Sequence, residues 1–225
     1  MAATTRRSPE PAGAGRSATT VVRFDRPERI IHWVNAGLFG IMLFTAASLY
    51  LGPLSALVGR RELVKSVHVY TGLLLPVPVL LGFLLRRQGC AFRRDAARLN
   101  RWTGDDRRWL RTLGRDPSVE LGKFNPGQKL NAAFTLGAIW VMLATGSIMR
   151  WFKPFPLSWR TGATFVHDSV FIALVFTIAG HIFMATRDPQ SMAGMRRGMV
   201  SRQWARTHHP RWYEELEGPG RGTGG

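Results

Sequence analysis

The chain has 225 residues, 31 Lys and Arg against 14 Asp and Glu, and a formal charge of +17, with its hydrophobic residues gathered into long runs between basic blocks. Those runs leave no large soluble core, which excludes a soluble basic fold built for nucleic acid, and no nucleic-acid partner is expected. A single cysteine, Cys90, excludes an internal disulfide, a four-thiolate cluster and a CxxCH haem attachment, so any iron–sulfur centre belongs to another subunit.

Residues 1–22 are rich in Ala, Thr, Ser, Gly and Pro and read as a disordered tail; no apolar stretch of signal-peptide length follows their arginines before Arg23. Residues 23–187 read as a four-span membrane domain, with spans at about 31–51, 64–85, 130–149 and 163–186, each long enough for a bilayer core of roughly 30 Å. Residues 188–225 read as a C-terminal tail. The fold class expected is all-α, a four-helix transmembrane bundle with cytoplasmic surface helices. Basic residues number six in the N-terminal segment, twelve in the 86–129 connection and seven in the C-terminal segment, 25 against six in the other two connections. The positive-inside rule therefore puts both termini and the long connection on the cytoplasmic side of a bacterial inner membrane.

Span one follows RFDRPER and carries His32 in its first turn, beside Trp33, with Ala36, Gly37 and Gly40 as a surface of small residues. Span two enters from the other side with His68 in its first turn or so and Gly72 four residues on, on the same face; Pro76 and Pro78 should kink or loosen its middle. In the long connection, Thr103–Gly114 has a capping-box pattern, three apolar residues and a terminal Gly, predicting a short helix at the membrane surface. Gly122–Lys129, GKFNPGQK, is a polar turn where span three enters the bilayer. Span three contains no histidine and reads as bundle support, followed by a basic, aromatic outer connection with Arg150, Trp151, Lys153 and Trp159. Span four carries His167 and His181, fourteen residues and roughly 21 Å apart on nearly one face, and Pro189 ends it. Asp168 is the only acid inside a span, at the outer interface. His208 and His209 lie in the polar tail and read as solvated or partner-facing.

Ionisable side chains inside a bilayer are costly and mark ligands, pathways or cofactors. The topology puts His32 and His181 together near the inner leaflet and His68 and His167 together near the outer one. Two neutral imidazoles from facing helices, trans across an iron in an apolar slot, are the ligand set of bis-histidine haem b, so two haem b groups are expected. A zinc site would need four ligands at one depth and a proton relay would need carboxylates between the histidines; neither is seen. Interhelical hydrogen bonding by the four rings, in a haem-free membrane anchor, is the plainer alternative.

RFDRPERIIHW, VKSVHVYTG, GKFNPGQK, the His167/His181 spacing and WARTHHPRWYEE together resemble the gamma subunit of formate dehydrogenase, of the cytochrome b556 type, over roughly Arg23 to Glu215. The resemblance implies the same haem pairing, and a menaquinone or ubiquinone site beside the inner haem walled by Asn125, Gly127, Gln128 and His181. It also implies an iron–sulfur beta subunit as donor and a molybdenum- or tungsten-containing alpha subunit as the site of formate oxidation. Arg29 and Lys123 are candidate counter-charges for inner propionates, Arg150 and Lys153 for outer ones. Phe124 stands where the family often has tyrosine, and Pro126 where it often has an aromatic. The alternatives within electron transfer are a cytochrome b561-like quinone oxidoreductase and the cytochrome b of a hydrogenase or thiosulfate reductase.

Overall fold

Capping chemistry decides where the long helices begin. A computed structural model describes residues 19–85 and 89–218. It opens with a short strand, β1 (Thr20–Val22), and then α1 (Arg26–Tyr50), where the Glu28 carboxylate accepts the Asp25 N–H at 2.7 Å and Pro27 sits in the first turn. A short α2 (Gly52–Val58) leads to α3 (Arg61–Leu74), which breaks at Leu75–Pro76 and resumes as α4 (Val77–Leu84). The break is the one expected from the two prolines, which remove N–H donors from the helix ladder. α5 (Cys90–Asn100) and α6 (Gly104–Thr112) lie in the long connection, and α7 (Pro126–Arg150) and α8 (Leu157–Arg187) complete the set of four helical segments long and apolar enough to cross a membrane. Each span starts a few residues before its apolar run, because polar first turns continue the helix beyond the hydrocarbon. α8 starts at Leu157, where 163 was expected.

α1 packs on α3 and α4, α7 packs on α8, and α3 touches α7, but neither α1 nor α3 packs closely against α8. The bundle is thus two helical pairs with a gap between them. Its flanks are apolar and exposed, with Phe44, Ile172, Phe165 and Phe176 all more than half accessible, as a lipid-facing surface requires.

At the end where α1 and α7 begin and α8 finishes, the structure departs from the expected tails. Asp188 caps α9 (Pro189–Arg197), Gly198 turns the chain with φ +87°, and β2 (Met199–Ser201) pairs antiparallel with β1, Val21 opposite Val200. α10 (Arg202–His208) and α11 (Pro210–Glu217) follow. Val200, Trp204, Ala205 and Trp212 form a small core there. The disordered-tail expectation for 1–22 is therefore corrected at Thr20–Val22, which are paired; residues 1–18 lie outside the described residues. The segment after 188 is not a tail but a folded cap.

Arg23 is the centre of that cap. Only 2% exposed, it donates to Ser191 Oγ at 3.0 Å and to the Lys123 carbonyl at 3.3 Å, and its guanidinium lies 4.5 Å over the Trp204 ring. His209 is also buried, which corrects its reading as solvated: its Nδ1 donates to the Gly122 carbonyl at 2.7 Å, leaving the Nε2 lone pair towards Arg23 Nη2 at 3.4 Å. His208 stacks on Trp204. The two arginine- and histidine-bearing motifs and the GKFNPGQK turn thus meet in one knot. Arg23 is lowered to about 10 by burial, with Asp188 and Asp95 opposing. Burial first, then the Arg23 charge, pushes His209 down to about 4.

The native His209 ring refuses a proton that the unfolded chain accepts below about pH 6.5. Its contribution is therefore complete above that pH and is lost as pH falls towards 4, by up to about 3 kcal/mol. His209→Asn keeps a donor near Gly122 and cannot titrate, so thermal melts from pH 7 to pH 4 should fall less steeply for the variant than for the parent. Equal slopes would show that His209 does not carry the acid sensitivity.

Candidate functional site

His32 on α1 and His181 on α8 face each other with ring centres 6.2 Å apart and planes at 61°; His68 on α3 and His167 on α8 do so at 6.4 Å and 63°. These are the two pairs expected from depth, each bridging the gap on either side of which the helices are not close-packed. His32, His68 and His167 are half-buried and His181 is exposed to the gap. A metal–imidazole nitrogen bond of about 2.0–2.1 Å, with the ring centre about 1 Å behind the nitrogen, puts trans ring centres about 6 Å apart. Direct hydrogen bonds between imidazoles need about 5 Å on the same arithmetic, and neither pair makes one among the described contacts.

Among the described residues no three His, Cys, Asp or Glu side chains converge. The histidines stand in twos, the set for a planar macrocycle that brings its own equatorial donors. Room for such a flat group is present. Gly37, Gly40 and Gly137 would each accept a Cβ without meeting any atom within 4 Å, and an open apolar cavity of about 490 Å³ is lined by Gly37, Gly40, Phe44, Thr45, Val64 and Val67 beside His68. Gly146 is different: a Cβ there would stand 3.3 Å from His167 Cε1. The residues present therefore fit two bis-histidine haem groups, one at each depth.

Two threonines that sequence reading passed over hold the second pair. Thr45 Oγ1 lies 2.9 Å from His68 Nδ1, and Thr145 Oγ1 lies 2.9 Å from His167 Nδ1. Span three, read as support, thus supplies a partner to a ligand. Threonine within an apolar helix ordinarily bonds its own backbone, so the pattern alone does not single these two out.

Asn125 and Gln128 form the capping box of α7: Asn125 Oδ1 accepts the Gln128 N–H at 2.9 Å and Gln128 Oε1 accepts the Asn125 N–H at 3.0 Å. Gly127 is exposed, and a Cβ on it would lie 3.3 Å from Asn125 Oδ1 and 3.7 Å from Trp109. The described side-chain hydrogen bonds of Asn125 and Gln128 run to each other, none to His181. The counter-charge expectation for Lys123 is corrected: its ammonium is buried against the Asp95 carboxylate. Arg29 donates to the Arg196 carbonyl at 2.7 Å, holding α1 to the end of α9. Lys129, unremarked in the sequence, is buried on Asp106 at 2.8 Å and on the Arg101 carbonyl at 2.9 Å. Burial raises the Asp106 carboxyl, but Lys129 and Thr103 hold it below the usual range.

The family model described as prokaryotic cytochrome b561 matches residues 23–199, more than three quarters of the chain. The chain belongs to the prokaryotic cytochrome b561 family. Membership implies haem b and a membrane protein that transports electrons, in agreement with the four apolar helices and the paired histidines. This cytochrome b561 chain is 28% identical over 212 residues to the nitrate-inducible formate dehydrogenase cytochrome b556(Fdn) subunit of Escherichia coli K12, covering 88% of this chain and 92% of that one. It is 28% identical to the formate dehydrogenase cytochrome b556 subunit of Haemophilus influenzae, covering 88% and 84%, and 27% identical to the cytochrome b556(fdo) subunit of Escherichia coli K12, covering 88% and 93%. The matched region in the family model includes all four membrane histidines and ends on β2.

Proposed function

We propose that this chain is the cytochrome b subunit of a formate dehydrogenase complex, taking electrons from an iron–sulfur subunit through two b haems to a quinone. The observation that carries the reading is the pair of facing imidazoles at each of two depths, 6.2 and 6.4 Å between ring centres. His68 and His167 would hold one haem and His32 and His181 the other. Bound haem supplies a one-electron iron couple at each depth.

The chain's own residues do the rest. α8 carries one ligand of each pair, so its helical rise sets their separation at roughly 21 Å. The open cavity on α1 and α3 next to Thr45 is lined by apolar side chains, Phe44, Val64 and Val67 among them. Asn125 and Gln128 spend their side-chain oxygens on capping α7 and keep their amide N–H groups without partners among the described residues. A quinone carbonyl within reach of those donors would accept from them. The excess of basic residues around the termini and the long connection supports an inner-membrane orientation with both termini cytoplasmic. The relatives' names, each a subunit of a formate dehydrogenase, support a place in a complex with a formate-oxidising partner.

The test is a reduced-minus-oxidised spectrum of the purified complex with pyridine haemochrome quantification, followed by quinone addition to the formate-reduced sample. Two b haems per chain, both reoxidised by quinone, are expected. No Soret band in protein made with ample haem would leave a membrane anchor instead.

A further inference from the structure

The two histidine pairs are not equivalent. Thr45 Oγ1 is 2.7 Å from the Ile41 carbonyl and Thr145 Oγ1 is 2.7 Å from the Val141 carbonyl, both closer than the imidazole nitrogen at 2.9 Å. A hydroxyl has one hydrogen, and a carbonyl can only accept. Each threonine therefore donates to its own helix and accepts from the histidine, so Nδ1 of His68 and of His167 carries the proton. Nε2 of each ring is left with its lone pair. The arrangement is repeated, with α1 serving α3 and α7 serving α8, at sequence separations of 23 and 22 residues. Gly146, next to Thr145, lets the His167 ring lie against α7. Among the described residues no side-chain hydrogen bond reaches the His32 or His181 ring, which instead face each other.

We propose that Thr45 and Thr145 are positioning residues for the haem held by His68 and His167: they lock both rings in the Nδ1–H tautomer, aim both Nε2 atoms into the gap, and make both ligands more basic. The inference rests on the two-haem reading above. A ligating imidazole that gives its other N–H to an oxygen is a stronger donor to the metal, which favours the oxidised iron. Haem held by His68 and His167 would have its potential lowered by these bonds, which would favour electron passage from that depth towards haem held by His32 and His181.

The experiment is a potentiometric titration of both haems in the intact complex, for the parent, Thr45→Val, Thr145→Val, the double variant and the two Thr→Ser variants, with haem counts for each. In the valine variants one midpoint potential should move upward, further in the double variant, while the other stays fixed; serine should restore the parent value. Selective loss of that one haem, restored by serine, would equally support the positioning role. Two haems with both midpoints unmoved, or equal loss of both haems, would overturn it. A parent complex without two haems would instead sink the functional reading beneath it.

Discussion

His167→Ala and His181→Ala should each yield protein with one b haem in place of two, read as about half the pyridine haemochrome per chain, and should abolish formate-driven quinone reduction. The two losses should be of different haems, distinguishable by midpoint potential, because the rings sit in different pairs, one facing His68 at 6.4 Å and the other His32 at 6.2 Å. Neither change should unfold the bundle. Alanine is the best helix former, His181 is exposed to the gap, and His167 loses one threonine contact worth about 1 kcal/mol. Thermal melting of the haem-free chain should therefore remain close to that of the parent. A haem count indifferent to both substitutions would break the pairing, and so would loss of both haems in either variant.

The second large effect is expected at Arg23. Arg23→Ala removes the donor to Ser191 Oγ and the Lys123 carbonyl, strips His209 Nε2 of its neighbour and opens a cavity over Trp204. Hydrogen bonds to charged groups contribute about 1.5–3 kcal/mol each, and buried acceptors left alone add a desolvation cost. A loss of roughly 3 kcal/mol or more is expected, concentrated in the cap. Limited trypsin digestion should cut rapidly at Arg202, Arg206 and Arg211 in the variant and slowly in the parent. Arg23→Lys should not rescue it, since an ammonium cannot present the planar fork that reaches three partners and stacks on an indole. Parent-like digestion of Arg23→Ala would show that the knot does not hold the cap closed.

What was legible in the sequence follows from period and punctuation. Four long apolar runs mark four spans, Pro76 and Pro78 mark the α3–α4 break, Thr103 with Asp106 marks the start of α6, and Pro189 marks the end of α8. Histidine depth alone paired His32 with His181 and His68 with His167. The cap was not legible, because strands of three residues have no measurable period and Arg23 reads as one more basic residue among many. His209 is buried only because Gly122, 87 positions away, folds over it. Lys123 and Lys129 find Asp95 and Asp106 on helices with no local signal linking them. The threonines escaped for a different reason: their partner rings lie on other helices, and tautomer is set by where a single hydroxyl proton goes.

The pairing of β1 with β2 joins the first described residues of the chain to a segment made after the last membrane helix, and Arg23 reaches Ser191 across 168 positions. Such a clasp is among the last contacts a growing chain can form, since it waits for every intervening helix to be synthesised and placed. A chain with one helix missing or inverted would leave β1 and β2 on different sides of the membrane or too far apart to meet. Closure of the clasp thus reports on assembly: the β1–β2 pairing requires both ends of the membrane domain to meet on one side.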